Sequence, residues 1–263
     1  MSPELEAAVE NAYRVFRRYS LSGGIVVCNC NCCVHPDNEK RLIRTPLREI
    51  SCALLAEYTN SAHGWNDQKI ADDFRYLLPR YFELIANGEL PTNTYEPVTL
   101  RRLGDARYAT EWPADEVAAI DGYFRALFEH ELVSPLVCRH NPRTDLVNCE
   151  GADVEQTLMI IANAGADIAP LLAHWEVTSA READLRIAAI AGKINVLDPG
   201  RFDDWDARSA AAHHALRAWL SRWEVRQRIE DACLREQDPV AASLLSMAEQ
   251  VNAALAWRAY LYG

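Results

Sequence analysis

Lysine is nearly missing from this chain: Lys40, Lys69 and Lys193 are the only ones among its 27 basic residues, and the other cations are arginine. Genomic base composition is the expected source of that bias, ahead of selection for bidentate binding. Cations of both kinds are outnumbered by 38 acids, for a formal charge of -11. Long-range attraction to phosphate backbones or anionic membranes is therefore disfavoured, and nucleic acid is excluded as an expected partner. No apolar run reaches bilayer length, so no membrane association is expected either. The opening "MSPELEAAVENAYRVF" carries acids where a signal peptide needs a basic region before an apolar run. A cytoplasmic location is the expectation, and there thiols are kept reduced.

Recognisable catalytic devices are also missing. No glycine-rich phosphate cradle and no G-x-S-x-G nucleophile turn occurs. "TNSAHGWND" crowds Ser61, His63 and Asp67 together, but a polar loop at a helix end explains it better than a triad, whose members meet in space. His213 and His214 are consecutive, so on a helix they face different ways and cannot make the i, i+4 metal pair of H-E-x-x-H. No Glu stands three residues before a His, which removes the Glu-x-x-His signature of di-iron bundles. "FDDWD", with Asp203, Asp204 and Asp206, reads as a helix N-cap cluster.

What is present is helical periodicity. Ser2, Pro3 and Glu4 form a cap, a first-turn proline and an acid suited to the helix dipole, and Leu5, Val9, Ala12, Phe16 and Tyr19 continue one face, so a helix is expected over about residues 3 to 19. Pro36 opens another, and "TPLREISCALLAEY" repeats the device with Thr45 as cap and Pro46 first. A stripe from Ile70 through Phe74, Leu77, Leu78, Tyr81, Phe82 and Ile85 ends at Gly88, with Pro79 predicting a kink or break inside it. Residues 91–112 lose the pattern and read as a connection between an N-terminal helical subdomain, 1–90, and a C-terminal bundle, 113–263, the whole packed as one globular unit. "VSPLVCRHNPRTDLVNCEG" is a long loop carrying at most a small hairpin. Asp153 with Gln156 resembles a capping box for a helix running to Trp175, and further helices fit 179 to 192, 203 to 235 and, capped by Asp238, 239 to 260. The sum is an all-α fold, an irregular bundle of about nine helices with a cysteine-rich loop near the N-terminus.

That loop, "CNCNCC", holds half of the eight cysteines. Cys28, Cys30, Cys32, Cys33 and His35 offer five zinc ligands in eight positions, and a structural zinc site normally takes four. Adjacent Cys32 and Cys33 are awkward on one tetrahedral ion, so only one of them is expected to bind. Completion could come from Cys138, His140 or Cys149, with Cys52 a poorer choice inside a helix. Two other readings compete. Cys30 and Cys33 have the two-residue gap of thiol oxidoreductases, yet no thioredoxin-like alternation of strand and helix surrounds them. Alternatively the cysteines are small apolar residues packed under a turn. A separate surface, Arg75, Tyr76 and Arg80 in "DDFRYLLPRYFEL", combines residue types favoured at binding hot spots; its duller alternative is core aromatics with surface ion pairs.

Taken in order, "CNCNCCVHPDNEKRLIRTPLREI", "LLAEYTNSAHGW" and "DDFRYLLPRYFELIANGE" resemble an uncharacterised bacterial family of cysteine-bearing α-helical proteins, over roughly residues 15 to 90. The family has no established activity, so the resemblance implies no functional residue, only that the cysteine region and the Arg75–Arg80 helix belong to one unit. Charge and missing motifs together favour a cytosolic helical binding protein, an adaptor or a toxin-neutralising immunity type, with a basic protein partner and a structural zinc site. An enzyme using the Cys28–His35 cluster, through metal or thiol, and a metal sensor or carrier are the alternatives.

Overall fold

Ser2 opens the first helix as its chemistry implies, its Oγ accepting from the Leu5 amide at 3.3 Å. The computed structural model describes residues 1–21, 24–28, 34–61, 68–94, 96–144, 146–193 and 209–262. They divide into two compact units, Met1–His130 with Ile160–Ala166, and Glu131–Met159 with Asp167–Gly263.

The first unit contains α1 (Pro3–Phe16), α2 (Pro36–Arg44), α3 (Cys52–Asn60), α4 (Gln68–Ala86), α5 (Arg101–Asp105), α6 (Tyr108–Glu111), most of α7 (Ala114–Val133) and the end of α8 (Val154–Asn163). Helix α1 packs on α4, whose stripe Phe74, Leu77, Leu78, Tyr81 and Phe82 is fully buried. Phe82 stacks on Tyr123 of α7 with centroids 3.8 Å apart and planes within 7°. Such a pair adds about 1 kcal/mol beyond its buried area. Pro79 does not break α4; the buried residues on both sides of it hold the helix in one piece.

The second unit is built from β1 (Val137–Asn141), β2 (Leu146–Glu150), α9 (Ala169–Val177), α10 (Arg181–Lys193), α11 (Ala210–Leu220), α12 (Trp223–Arg235) and α13 (Pro239–Tyr262). Helix α13 touches α10, α12 and both strands, so it is the spine of this unit. Trp175 of α9 is fully buried, stacks on Trp219 of α11 at 5.1 Å and donates from Nε1 to the Ala183 carbonyl at 3.1 Å.

Mainly helical architecture agrees with the periodicity, but the described residues hold thirteen α-helices, not about nine, besides one antiparallel hairpin. Local stops explain the difference. The expected helix from Asp153 to Trp175 ends at Gly165, whose φ of +86° suits glycine alone, and two back-bonds seal the end: Gly165 N to Ala162 O and Ala166 N to Ile161 O. Gly165 also abuts Gly104, where an added Cβ would meet the Asn163 carbonyl at 2.7 Å. The expected long helix over 203 to 235 is interrupted at Ser221 and Arg222, giving α11 and α12. Residues 101–111 contain the short α5 and α6. Thr45 and Pro46 start only a 3-10 turn, Leu47–Glu49, and Ser51 caps α3 instead, accepting from Leu54 N at 3.2 Å. Among the described residues, no helix is long and apolar enough to cross a membrane.

Candidate functional site

The loop "VSPLVCRHNPRTDLVNCEG" folds into the hairpin, and its register sets Cys138 directly opposite Cys149. Side chains of directly paired residues in antiparallel strands leave the same face. The two sulfurs lie 2.9 Å apart. On the opposite face, Arg139 reaches Glu150 at 2.6 Å, an exposed pair that contributes little stability.

A cavity of about 470 Å³ lies within this unit, lined by Cys149 and Val147 of β2, Val154 of α8, Arg186 and Ile190 of α10, and Leu244 of α13. Arg186 is only 2% exposed. Its Nη1 donates to two backbone carbonyls, Leu132 at 3.2 Å and Glu182 at 3.4 Å, whereas Nε and Nη2 find no acceptor among the described residues. Burial works against its charge, and Glu131 most strongly, then Glu182, Cys149 and Cys138, favour it. Glu131 Oε2 is likewise shut off from solvent without a hydrogen-bond partner. Burial pushes the Glu131 carboxyl up to about 7, against the Thr157 hydrogen bond and the Arg186 charge that hold it down.

That displacement makes stability depend on pH. The folded value lies above the ordinary one of 4.5, so the folded chain retains a proton that the unfolded chain has released. The Glu131 contribution to stability is therefore full below about pH 4.5 and is lost as pH rises through about 7. From about pH 5.5 to about pH 8.5 the loss amounts to about 2 kcal/mol. Thermal denaturation at both pH values checks it: the melting temperature of the wild type falls by several degrees relative to Glu131→Gln, which carries no titrating group there.

Of the sequence-derived zinc candidates, Cys28 and His35 are among the described residues and belong to the first unit. Cys28 is half-buried and donates its amide to Ser61 Oγ at 2.8 Å. The strand of chain just before it is held by buried Asp73, which accepts from Val26 N at 2.8 Å and from Lys69 Nζ at 2.6 Å. His35 caps α2, its Nδ1 accepting from Asp37 N at 3.3 Å. Cys30, Cys32 and Cys33 lie outside the described residues, as do His63, Asp67, Asp203, Asp204 and Asp206. Among the described residues no group of three His, Cys, Asp or Glu side chains is placed to hold a metal ion. Cys138, His140 and Cys149, proposed above as completing ligands, belong to the second unit.

Arg75 and Arg80 turn inward. Arg75, 6% exposed, gives Nε to Glu116 at 3.0 Å and lies over the Trp112 ring at 4.1 Å. Arg80 donates to the Ile50 carbonyl and to Glu83, each at 2.7 Å. Tyr76 is half-buried, and burial raises its hydroxyl pKa. His213 is buried and His214 exposed, as consecutive helix positions require.

No family model, curated protein or solved structure matches the chain. Chemistry therefore has to be read from the site itself. Two sulfurs in contact, a buried guanidinium with two nitrogens that find no acceptor among the described residues and, beside it, a carboxyl whose pKa burial raises make up that site. Sequence reasoning weighed Cys138 and Cys149 as metal ligands and missed them as a pair. Their symmetric placement about the turn "PRTD" was the available signal.

Proposed function

We propose that the protein performs thiol–disulfide exchange, with Cys138 and Cys149 as the interconverting pair. The observation that carries this reading is the register that opposes them, with 2.9 Å between sulfurs. Cys149 lines the cavity and meets the partner first. Its thiolate attacks one sulfur of a partner disulfide, and the other sulfur leaves and takes up a proton. Cys138, as thiolate, then attacks the Cys149 sulfur of the mixed disulfide and expels the second thiol. One protein dithiol and one partner disulfide thus become one protein disulfide and two partner thiols. Paired cross-strand positions hold Cβ atoms about 4.5–5.5 Å apart, wider than the mean of about 3.8 Å for disulfides, so the oxidised pair is readily reduced again.

The test uses 2-hydroxyethyl disulfide, a neutral reagent, on the fully reduced protein, read by intact mass and peptide mapping. Wild type should lose two hydrogens, mapped to Cys138 and Cys149, without retaining adduct. Cys138→Ser should instead keep a mixed disulfide on Cys149. A wild type that retains both thiols under these conditions would rule the reading out.

A second reading, a cytoplasmic binding protein, is favoured by one groove in the same unit. Trp223 is 64% exposed and Val177 77%, and both line it. The same groove carries Glu176, Asp184, Glu224 and Asp231 against Arg228 and Arg235. An exposed tryptophan in an acid-rich groove suits a basic protein segment with an apolar anchor, which agrees with the overall charge. Zinc on Cys28, Cys30, Cys32, Cys33 and His35 is compatible with either reading as a structural element; the crowding of thiols in the sequence supports it. Elemental analysis with a thiol count before and after chelation tests it, and a metal-free protein whose thiols all react at once would contradict it.

A further inference from the structure

Arg186 presents an unusual combination: a permanent charge, near-complete burial and an edge that meets no acceptor among the described residues. Guanidinium does not deprotonate in proteins, so burial cannot be relieved by losing the proton. An uncompensated buried charge is strongly destabilising. Yet the acceptors that Arg186 has are two neutral carbonyls, both on Nη1. The two nitrogens left over, Nε and Nη2, are the pair whose N–H bonds run parallel along one side of the guanidinium plane. That edge is the one that grips a carboxylate through two parallel hydrogen bonds. Glu131, the group that most favours its charge, does not occupy the edge, because Nε and Nη2 find no acceptor among the described residues and Glu131 Oε2 makes no hydrogen bond there either.

We propose that the cavity beside the hairpin binds the carboxylate of an anionic low-molecular-weight thiol or disulfide, with Arg186 as its receptor and Cys149 as the sulfur that meets it. The inference rests on the thiol-exchange reading and supplies its substrate class. A volume of about 470 Å³ admits a small molecule. Cys149 and Arg186 line one space, with Val147, Val154, Ile190 and Leu244 among its apolar walls and Asn148 and Asp153 as its other polar residues. A ligand with a carboxylate at one end and sulfur a few bonds away satisfies both groups at once. In the exchange step the carboxylate stays ionised and takes no part in bond breaking. Arg186 is a positioning residue, and the sulfur chemistry is that of Cys138 and Cys149.

The test compares glutathione disulfide, which carries carboxylates, with neutral 2-hydroxyethyl disulfide as oxidants of the reduced full-length protein. Rates are followed by quenching with an alkylating reagent. Wild type should react faster with the carboxylated oxidant by about tenfold or more, the scale of one charge-assisted bidentate contact. Arg186→Gln should bring the ratio of the two rates close to one. Because that variant also replaces a buried group bonded to two carbonyls, wild type is assayed in parallel with glutarate, a sulfur-free dicarboxylate, as competitor. Glutarate should slow the carboxylated oxidant and leave the neutral one unaffected. Oxidation by both reagents at equal rates, indifferent to glutarate, would overturn carboxylate recognition while leaving thiol exchange intact. Failure of both oxidants would overturn the exchange reading itself and this inference with it.

Discussion

Glu116→Ala should destabilise the first unit by about 3–5 kcal/mol, the range found when one partner of a buried ion pair is removed. Glu116 is fully buried on α7. Its Oε2 accepts from Arg75 Nε at 3.0 Å, and its Oε1 from Tyr19 OH at 2.5 Å and from Arg18 Nη2. Alanine leaves the Arg75 guanidinium inside the unit with Asp72, on the Nη1 side at 2.9 Å, as its remaining carboxylate among the described residues. Part of the loss is therefore the cost of a buried, half-compensated cation, and Glu116→Gln, which keeps acceptor geometry without charge, should fall between. Urea denaturation measures both. A loss under about 1 kcal/mol for the alanine variant would mean that water reaches Arg75 freely.

Arg102→Lys should cost about 2–4 kcal/mol despite conserving charge, since several hydrogen bonds from a charged donor are lost together. Arg102 is 6% exposed and points Nη2 at the C-terminal carbonyls of α3, Tyr58 O at 2.5 Å and Ser61 O at 2.8 Å. Its guanidinium also lies over the Tyr58 ring at 4.3 Å. One planar group thus satisfies the orphan carbonyls of a helix end, where the dipole favours a cation, and stacks on an aromatic face. An ammonium offers a point charge without that plane. Hydrogen exchange should report the variant as faster opening of α3, and unchanged protection there would contradict the assigned role. Arg228 does the same for α9, donating to Trp175 O at 2.5 Å and Thr178 O at 2.6 Å while pairing with Asp184 at 2.6 Å.

These two helix ends show how far the residues announced their roles. The excess of arginine over lysine was visible in composition, but that Arg102 caps a buried helix end was not, because it and its carbonyls are more than 40 residues apart. Features set by near neighbours were legible: Ser2, Asp153 and Asp238 each cap the helix they precede, with acceptor contacts two or three residues on. Stops were less so. Gly165 sat inside an apolar period that continued beyond it, and only its positive φ and contact with Gly104 end α8 there. Periodicity correctly placed Arg75 and Arg80 on a helix, yet the direction each takes is decided by Glu116 and by the Ile50 carbonyl, 41 and 30 residues away. The dithiol site divides in the same way. Cys138 and Cys149 are paired by a local turn and could be found from sequence, whereas Arg186 meets Leu132 across 54 residues and has no local signature.

The most direct test of the exchange chemistry is an equilibrium redox titration of the intact protein, with differential alkylation quantified peptide by peptide. If Cys138 and Cys149 are one couple, both should change together along a single two-electron curve, and the change should vanish at either position when the other is serine. Titration of the two positions at separate potentials, or two thiols that remain alkylatable at every potential while the hairpin stays folded, would contradict it.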